Sequence, residues 1–245
     1  MKKVASRHGA VACDPAHDGR PQDHSPLLWQ LVFSFLAWEA SPSRAAQASK
    51  RLHASVVDYN EMRVCLPEEL LHMIGERYPR GLERVTRLRA TLNDIFRRQN
   101  AVTLDHLPAM NKKEARAYLE SLDGCPPFAA ARVTLFELDG HALPLDERLM
   151  ASLVGESALP EGLPLPDAIG WIERQLRVGE ARDTYLRLEA WHADVSAGKP
   201  AAKPAAEAKA EANSASKAEV KPDNKPERSG ASRGSGGAKT RRGKG

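Results

Sequence analysis

Between Leu122 and Asp146 the chain reads LDGCPPFAAARVTLFELDGHALPLD, and this stretch most limits what the protein can fold into. Apolar residues recur at helical spacing over Lys112 to Leu122 and again over Phe128 to Leu138. Between them stand Gly124, Pro126 and Pro127. Glycine permits a left-handed backbone and proline cannot continue a helix interior, so a tight turn over 123–127 must separate two helices. Pro127 suits the first position of the second helix. A short loop follows, and Asp146 stands near the start of a further helix expected over Leu145 to Val154.

The rest of the foldable chain is also helical in pattern. Leu27, Leu28, Leu31, Val32, Phe35 and Leu36 share a helix face, with Ser25 as the expected cap and Pro26 in the first turn. Ser41-Pro42 ends this helix and starts another running to about Val57. Pro67 opens a short helix through Ile74, and Pro79 to Arg98 carries Leu82, Val85, Leu88, Leu92, Ile95 and Phe96 on one side. A single turn is expected over Leu104 to Leu107, and helices over Pro166 to Leu176 and Ala181 to Trp191. No segment alternates with period two, so the expected class is all-α.

Composition divides the chain into three. Residues 1–23 look irregular and are expected to be disordered, and residues 24–195 form a helical body. From 196 to 245 the chain is Ala, Lys, Pro, Glu, Ser and Gly with Val220 as the only large aliphatic, too little apolar surface to offset ordering entropy. This basic tail holds 12 of the 36 Lys/Arg and 5 of the 32 Asp/Glu, hence net +7, and leaves net −3 for the remainder. A flexible basic tail suits a phosphate backbone, although solubilisation alone also accounts for it. Cys13, Cys65 and Cys125 are isolated and the histidines lack ligand spacing, so neither a disulfide framework nor a metal site is expected. Leu27 to Trp38 is too short to span a membrane and no apolar leader follows Met1-Lys2-Lys3-Val4; a monomeric cytoplasmic protein is the expectation.

The order of helices and the 122–146 stretch resemble the helix-hairpin-helix DNA glycosylases of the endonuclease III type, over roughly residues 25–195 and best from Pro79 to Leu153. That family's hairpin motif runs LPGVGRKTA and is followed at a fixed interval by a catalytic Asp; Leu122 to Asp146 keeps the interval without a gap. The resemblance implies a base-excision-repair protein on double-stranded DNA, with Asp146 stabilising oxocarbenium-like charge on the sugar or activating the attacking species. The same position also suits a helix cap with no catalysis.

Other matched positions depart from the family. A hairpin cradles phosphate through backbone N–H groups, and Pro126 and Pro127 have none, leaving Gly124, Cys125, Phe128 and Ala129 as donors. Phe128 stands where bifunctional members carry the Schiff-base Lys, so an active enzyme is expected to be a monofunctional N-glycosylase without lyase activity. Lys112 and Lys113 lie one helix earlier, and Arg148, two residues after Asp146, is a candidate for phosphate or for a nearby acid. Leu36-Ala37-Trp38-Glu39-Ala40-Ser41 stands where the family inserts a Gln beside the extruded base; Glu39 takes its place, and Trp38 is a stacking wedge or a core residue. No cysteine follows Trp191-His192, so the family's iron–sulfur cluster is not expected, nor any other cofactor. The alternative to an enzyme is an inactive glycosylase-fold module binding DNA or protein.

Overall fold

Proline and short polar caps set the helix starts. A computed structural model of the protein describes residues 14, 16, 20–177 and 179–198, and among these there is no strand. The first four helices are α1 (Pro26–Ala37), α2 (Pro42–Ser55), α3 (Tyr59–Val64) and α4 (Pro67–Ile74). The long α5 (Gly81–Gln99) and a 3-10 turn at Leu107–Ala109 lead to α6 (Lys112–Glu120) and α7 (Pro127–Glu137). The chain continues through α8 (Glu147–Gly155), α9 (Leu165–Gln175) and α10 (Ala181–Ser196). Pro26, Pro42, Pro67 and Pro127 each open a helix, where the missing N–H costs nothing. Ser41 caps α2 through the Arg44 N–H, and Asn111 caps α6 through those of Lys113 and Glu114.

Two helices form the axis. α1 is buried from Leu27 to Ala37 and α7 from Phe128 to Phe136, and the two pack along each other. Helices apolar on all sides belong in a core rather than at its edge. Around them lie two apolar clusters. The first gathers α1 to α6 with Phe128, Ala129, Ala130 and Val133 of α7. The second joins Leu135 and Phe136, at the other end of α7, to Leu149 and Leu153 of α8, Ala168 and Ile172 of α9, and Tyr185, Leu188 and Trp191 of α10. The loop from Asp139 to Asp146 therefore carries the chain from one cluster to the other, and Asp146 stands at the crossing.

The expected helices all form, with shifts of one or two residues at most ends. The single turn lies at Leu107–Ala109 rather than 104–107, and α10 continues past Trp191 to Ser196. The helix α3 was not anticipated, although Asp58 and Glu61 spell its capping pattern: Asp58 accepts the Glu61 N–H at 2.8 Å and Glu61 accepts that of Val57 at 2.5 Å. Ser25 is no side-chain cap; its hydroxyl is buried without a partner. Within the N-terminal segment expected to be disordered, Asp14 and Ala16 are buried: Asp14 pairs with Arg132 of α7 and accepts from Gln30, and the Ala16 carbonyl accepts the Trp29 indole N–H. The remainder of 1–19, and the tail from 199, lie outside the described residues.

Candidate nucleic-acid interface

The turn between α6 and α7 is fixed from below by α5. Gly124 has φ +76°, and a Cβ there would meet the Arg87 carbonyl oxygen at 2.8 Å, so only glycine fits. The Thr91 hydroxyl donates to the Asp123 carbonyl at 2.8 Å, and the Asp94 carboxylate accepts the Asp123 N–H at 2.9 Å. Arg98 donates to the Ser121 hydroxyl and carbonyl at 2.8 and 2.7 Å. Burial raises the Asp94 carboxyl, but the Asp123 N–H and the Arg98 and Arg97 guanidiniums outweigh it and hold it below its ordinary value.

Of the expected backbone donors, the Cys125 N–H goes to the Leu122 carbonyl and that of Ala129 to the Pro126 carbonyl. Gly124 and Phe128 keep N–H groups with no described protein partner. The Phe128 side chain is buried in the core. Cys125 sits in the turn with its thiol pushed up to about 12 by burial, which leaves it a protonated, unreactive group.

Asp146 is 1% exposed. One carboxylate oxygen accepts the Leu149 N–H at 2.9 Å, capping α8. The other accepts the Glu39 N–H at 3.0 Å and faces Arg148 Nε at 3.4 Å. Glu39 has φ +54° and returns the contact, its carboxylate accepting the Glu147 N–H at 2.9 Å. Burial, then the neighbouring Asp146 charge, raise the Glu39 carboxyl above its ordinary value. Arg148 reaches on to Glu189 of α10 at 2.6 Å, and Tyr185 donates to the same oxygen at 3.0 Å. Burial disfavours the charge on Arg148, but Glu189 and Asp146 more than restore it and raise its pKa. The catalytic candidate is thus a bolt between the α1–α2 loop and the second cluster, and Arg148 pairs inward with acids instead of facing outward.

Trp38 is partly exposed and ringed by arginines. The Arg80 guanidinium lies 4.6 Å from the indole centroid, Arg87 5.2 Å and Arg84 5.8 Å. Arg84 is fully buried and donates to the carbonyls of Phe35, Trp38 and Pro79, closing the C-terminal end of α1. Arg80 and Arg87 are half-exposed and share the carboxylate of Glu83, at 2.8 and 3.1 Å. Contacts therefore run without a break from Gly124 through Arg87, Trp38 and Glu39 to Asp146. Lys112 and Lys113 stand apart, at the end of α6 away from the turn, a rise of about 13 Å. There the Lys112 ammonium donates to the Asp139 carbonyl at 2.6 Å, and Lys113 is exposed. Sequence reasoning missed Arg80 and Arg87; the spacing of Arg80, Arg84 and Arg87 on one helix face was visible, but the indole that collects them lies more than forty positions away in the chain.

Among the described residues no cluster of three or more His, Cys, Asp or Glu is placed to hold a metal ion, and no helix is long and apolar enough to cross a membrane. No family model and no curated protein matches the chain. Solved structures do. A non-covalent endonuclease III–DNA complex superimposes with a TM-score of 0.59 at 13% identity, covering 77% of this chain and 80% of that one. A thermostable thymine-DNA glycosylase gives 0.52 at 14% identity over 78% and 83%. The 8-oxoguanine glycosylase/lyase of Clostridium acetobutylicum, bound to double-stranded DNA, gives 0.52 at 11% identity over 70% and 60%. The protein has the helix-hairpin-helix DNA glycosylase fold. Within that fold it carries Phe128 and the Pro126-Pro127 pair in its hairpin and a buried carboxylate at Asp146.

Proposed function

We propose that the protein is a DNA-repair protein that binds double-stranded DNA through the 124–129 turn and the adjoining Trp38–Arg80–Arg87 surface without excising a base. The observation that carries this reading is the state of Asp146. Its carboxylate is taken up by the Leu149 and Glu39 N–H groups and faces the Arg148 guanidinium. A carboxylate so placed stabilises the protein and has no side open to a sugar. Phe128 removes the amine a lyase step needs, and restoring Lys there would put a charge into the core.

A second reading keeps the chemistry. Asp146 follows the hairpin at the interval of the glycosylase family and sits between the two clusters, so parting of the Glu39 loop from α8 would expose it. The protein would then be a monofunctional N-glycosylase, with Asp146 assisting N-glycosidic hydrolysis and leaving an abasic site.

One experiment separates the two. Duplexes carrying uracil, oxidised pyrimidines, alkylated purines and mismatches are incubated with the wild-type protein and with Asp146→Asn. The expected result is binding with no base release by either protein, and no borohydride-stable adduct on abasic-site DNA. Base release by wild type that disappears in Asp146→Asn establishes the second reading. Failure to bind any duplex defeats both.

A further inference from the structure

Pro126 and Pro127 deprive the turn of two N–H groups, and the nearest cationic donors belong to α5. Arg87 touches the turn directly: its backbone lies against Gly124, and its guanidinium lies beside Trp38. Arg80 reaches the same indole from the start of α5, where its own backbone is left-handed at φ +50°. Both guanidiniums converge on one anion, the Glu83 carboxylate, with Oε2 on Arg80 Nε and Oε1 on Arg87 Nε. A carboxylate bridging two guanidiniums has the charge and the paired acceptor oxygens of a phosphodiester in the same place. All three side chains remain about 36 to 46% exposed, so the ion pairs are weak and exchangeable. Arg84 lies beneath, buried, its Nε unpartnered, and adds fixed positive potential under the indole.

We propose that Arg80 and Arg87, held in place by Trp38, form a DNA phosphodiester site that replaces the hairpin donors lost to Pro126 and Pro127, and that Glu83 occupies this site until DNA displaces it. This rests on the DNA-binding reading above and assigns phosphate contacts within it. Glu83 swings outward as the phosphate enters, exchanging one anion for another at the same two guanidiniums. The cation–π contacts with Trp38 keep the two side chains extended and spare part of the entropy of ordering them on binding.

The test uses the full chain and a fluorescent duplex, with affinity followed by polarisation from low to moderate salt. Removing the competing anion in Glu83→Gln should tighten binding roughly threefold or more. Arg80→Gln combined with Arg87→Gln should weaken binding and lower the slope of log affinity against log salt by about 0.9, the loss of one neutralised phosphate. Arg80→Lys with Arg87→Lys should fall between, because charge is kept and the paired N–H geometry is not. Unchanged affinity in Glu83→Gln, or an unchanged salt slope in the double Gln variant, overturns the assignment while DNA binding by the wild type stands. Absence of any DNA binding by the wild type removes the underlying reading instead.

Discussion

At the scale of single residues, identity at two positions is forced for different reasons. Gly124 is required by space and by backbone: φ is +76° and the Arg87 carbonyl stands 2.8 Å from where a Cβ would sit. Gly124→Ala should therefore cost about 2 kcal/mol or more and loosen the turn, read as a lower urea midpoint with unchanged denaturant slope. A variant as stable as wild type would show that the turn has room to shift. Asp146 is required by its partners. Removing it would leave Arg148 half-paired and the Glu39 N–H without an acceptor, and breaking one side of such a buried set costs about 3 kcal/mol or more. Asparagine keeps the cap on Leu149 but not the charge facing Arg148, so Asp146→Asn should lower the melting temperature even where no chemistry is lost. This differs from the expectation for a bare helix cap, for which Asn serves as well as Asp.

At the scale of elements, the hairpin turn is held by α5 as well as by its own two helices. Asp94, Thr91 and Arg98 hold residues 121–123 from outside the motif. Asp94→Ala should raise amide exchange at Asp123 and destabilise by about 1 to 3 kcal/mol near neutral pH. The pH dependence follows from the sign of the shift. The Asp94 carboxyl lies below its ordinary value of 3.8 in the folded protein. Its stabilisation is therefore present above about pH 4 and is lost as pH falls through the folded value. The gap in melting temperature between wild type and Asp94→Ala should shrink below pH 4, and a gap that stays constant down to pH 2 would contradict the assigned charge contacts.

At the scale of the whole molecule, charge is divided unevenly along the sequence. The helical body is mildly acidic and the segment 196–245 holds net +7. Cutting the chain after residue 198 preserves α10 and removes that charge. Affinity for duplex DNA should fall, and the slope of log affinity against log salt should flatten, by at most about 6. Equal affinity and equal slope with and without the segment would assign all DNA contact to the body. The same measurement, repeated with the Arg80 and Arg87 variants, separates a sequence-independent electrostatic contribution from a placed one.

Periodicity, proline and glycine determined the helical class, nearly every helix and the turn at 123–127, because these are local effects that act through a few neighbouring residues. The interval from Leu122 to Asp146 likewise carried the fold resemblance, since the chain length between two elements limits how they can pack. The chemistry of the site was not legible in the same way. Asp146 reads as a cap or a catalyst from its position, and only the Glu39 loop, 107 residues earlier, decides that it is buried. Arg148 reads as a partner for phosphate or for a nearby acid, and Glu189, 41 residues on, makes it the acid's partner. Arg80 and Arg87 read as ordinary charges on an amphipathic helix until Trp38 is seen between them. Burial and charge pairing are properties of the neighbours a side chain meets across the fold, and those neighbours are chosen by packing at separations in the chain that no local pattern encodes.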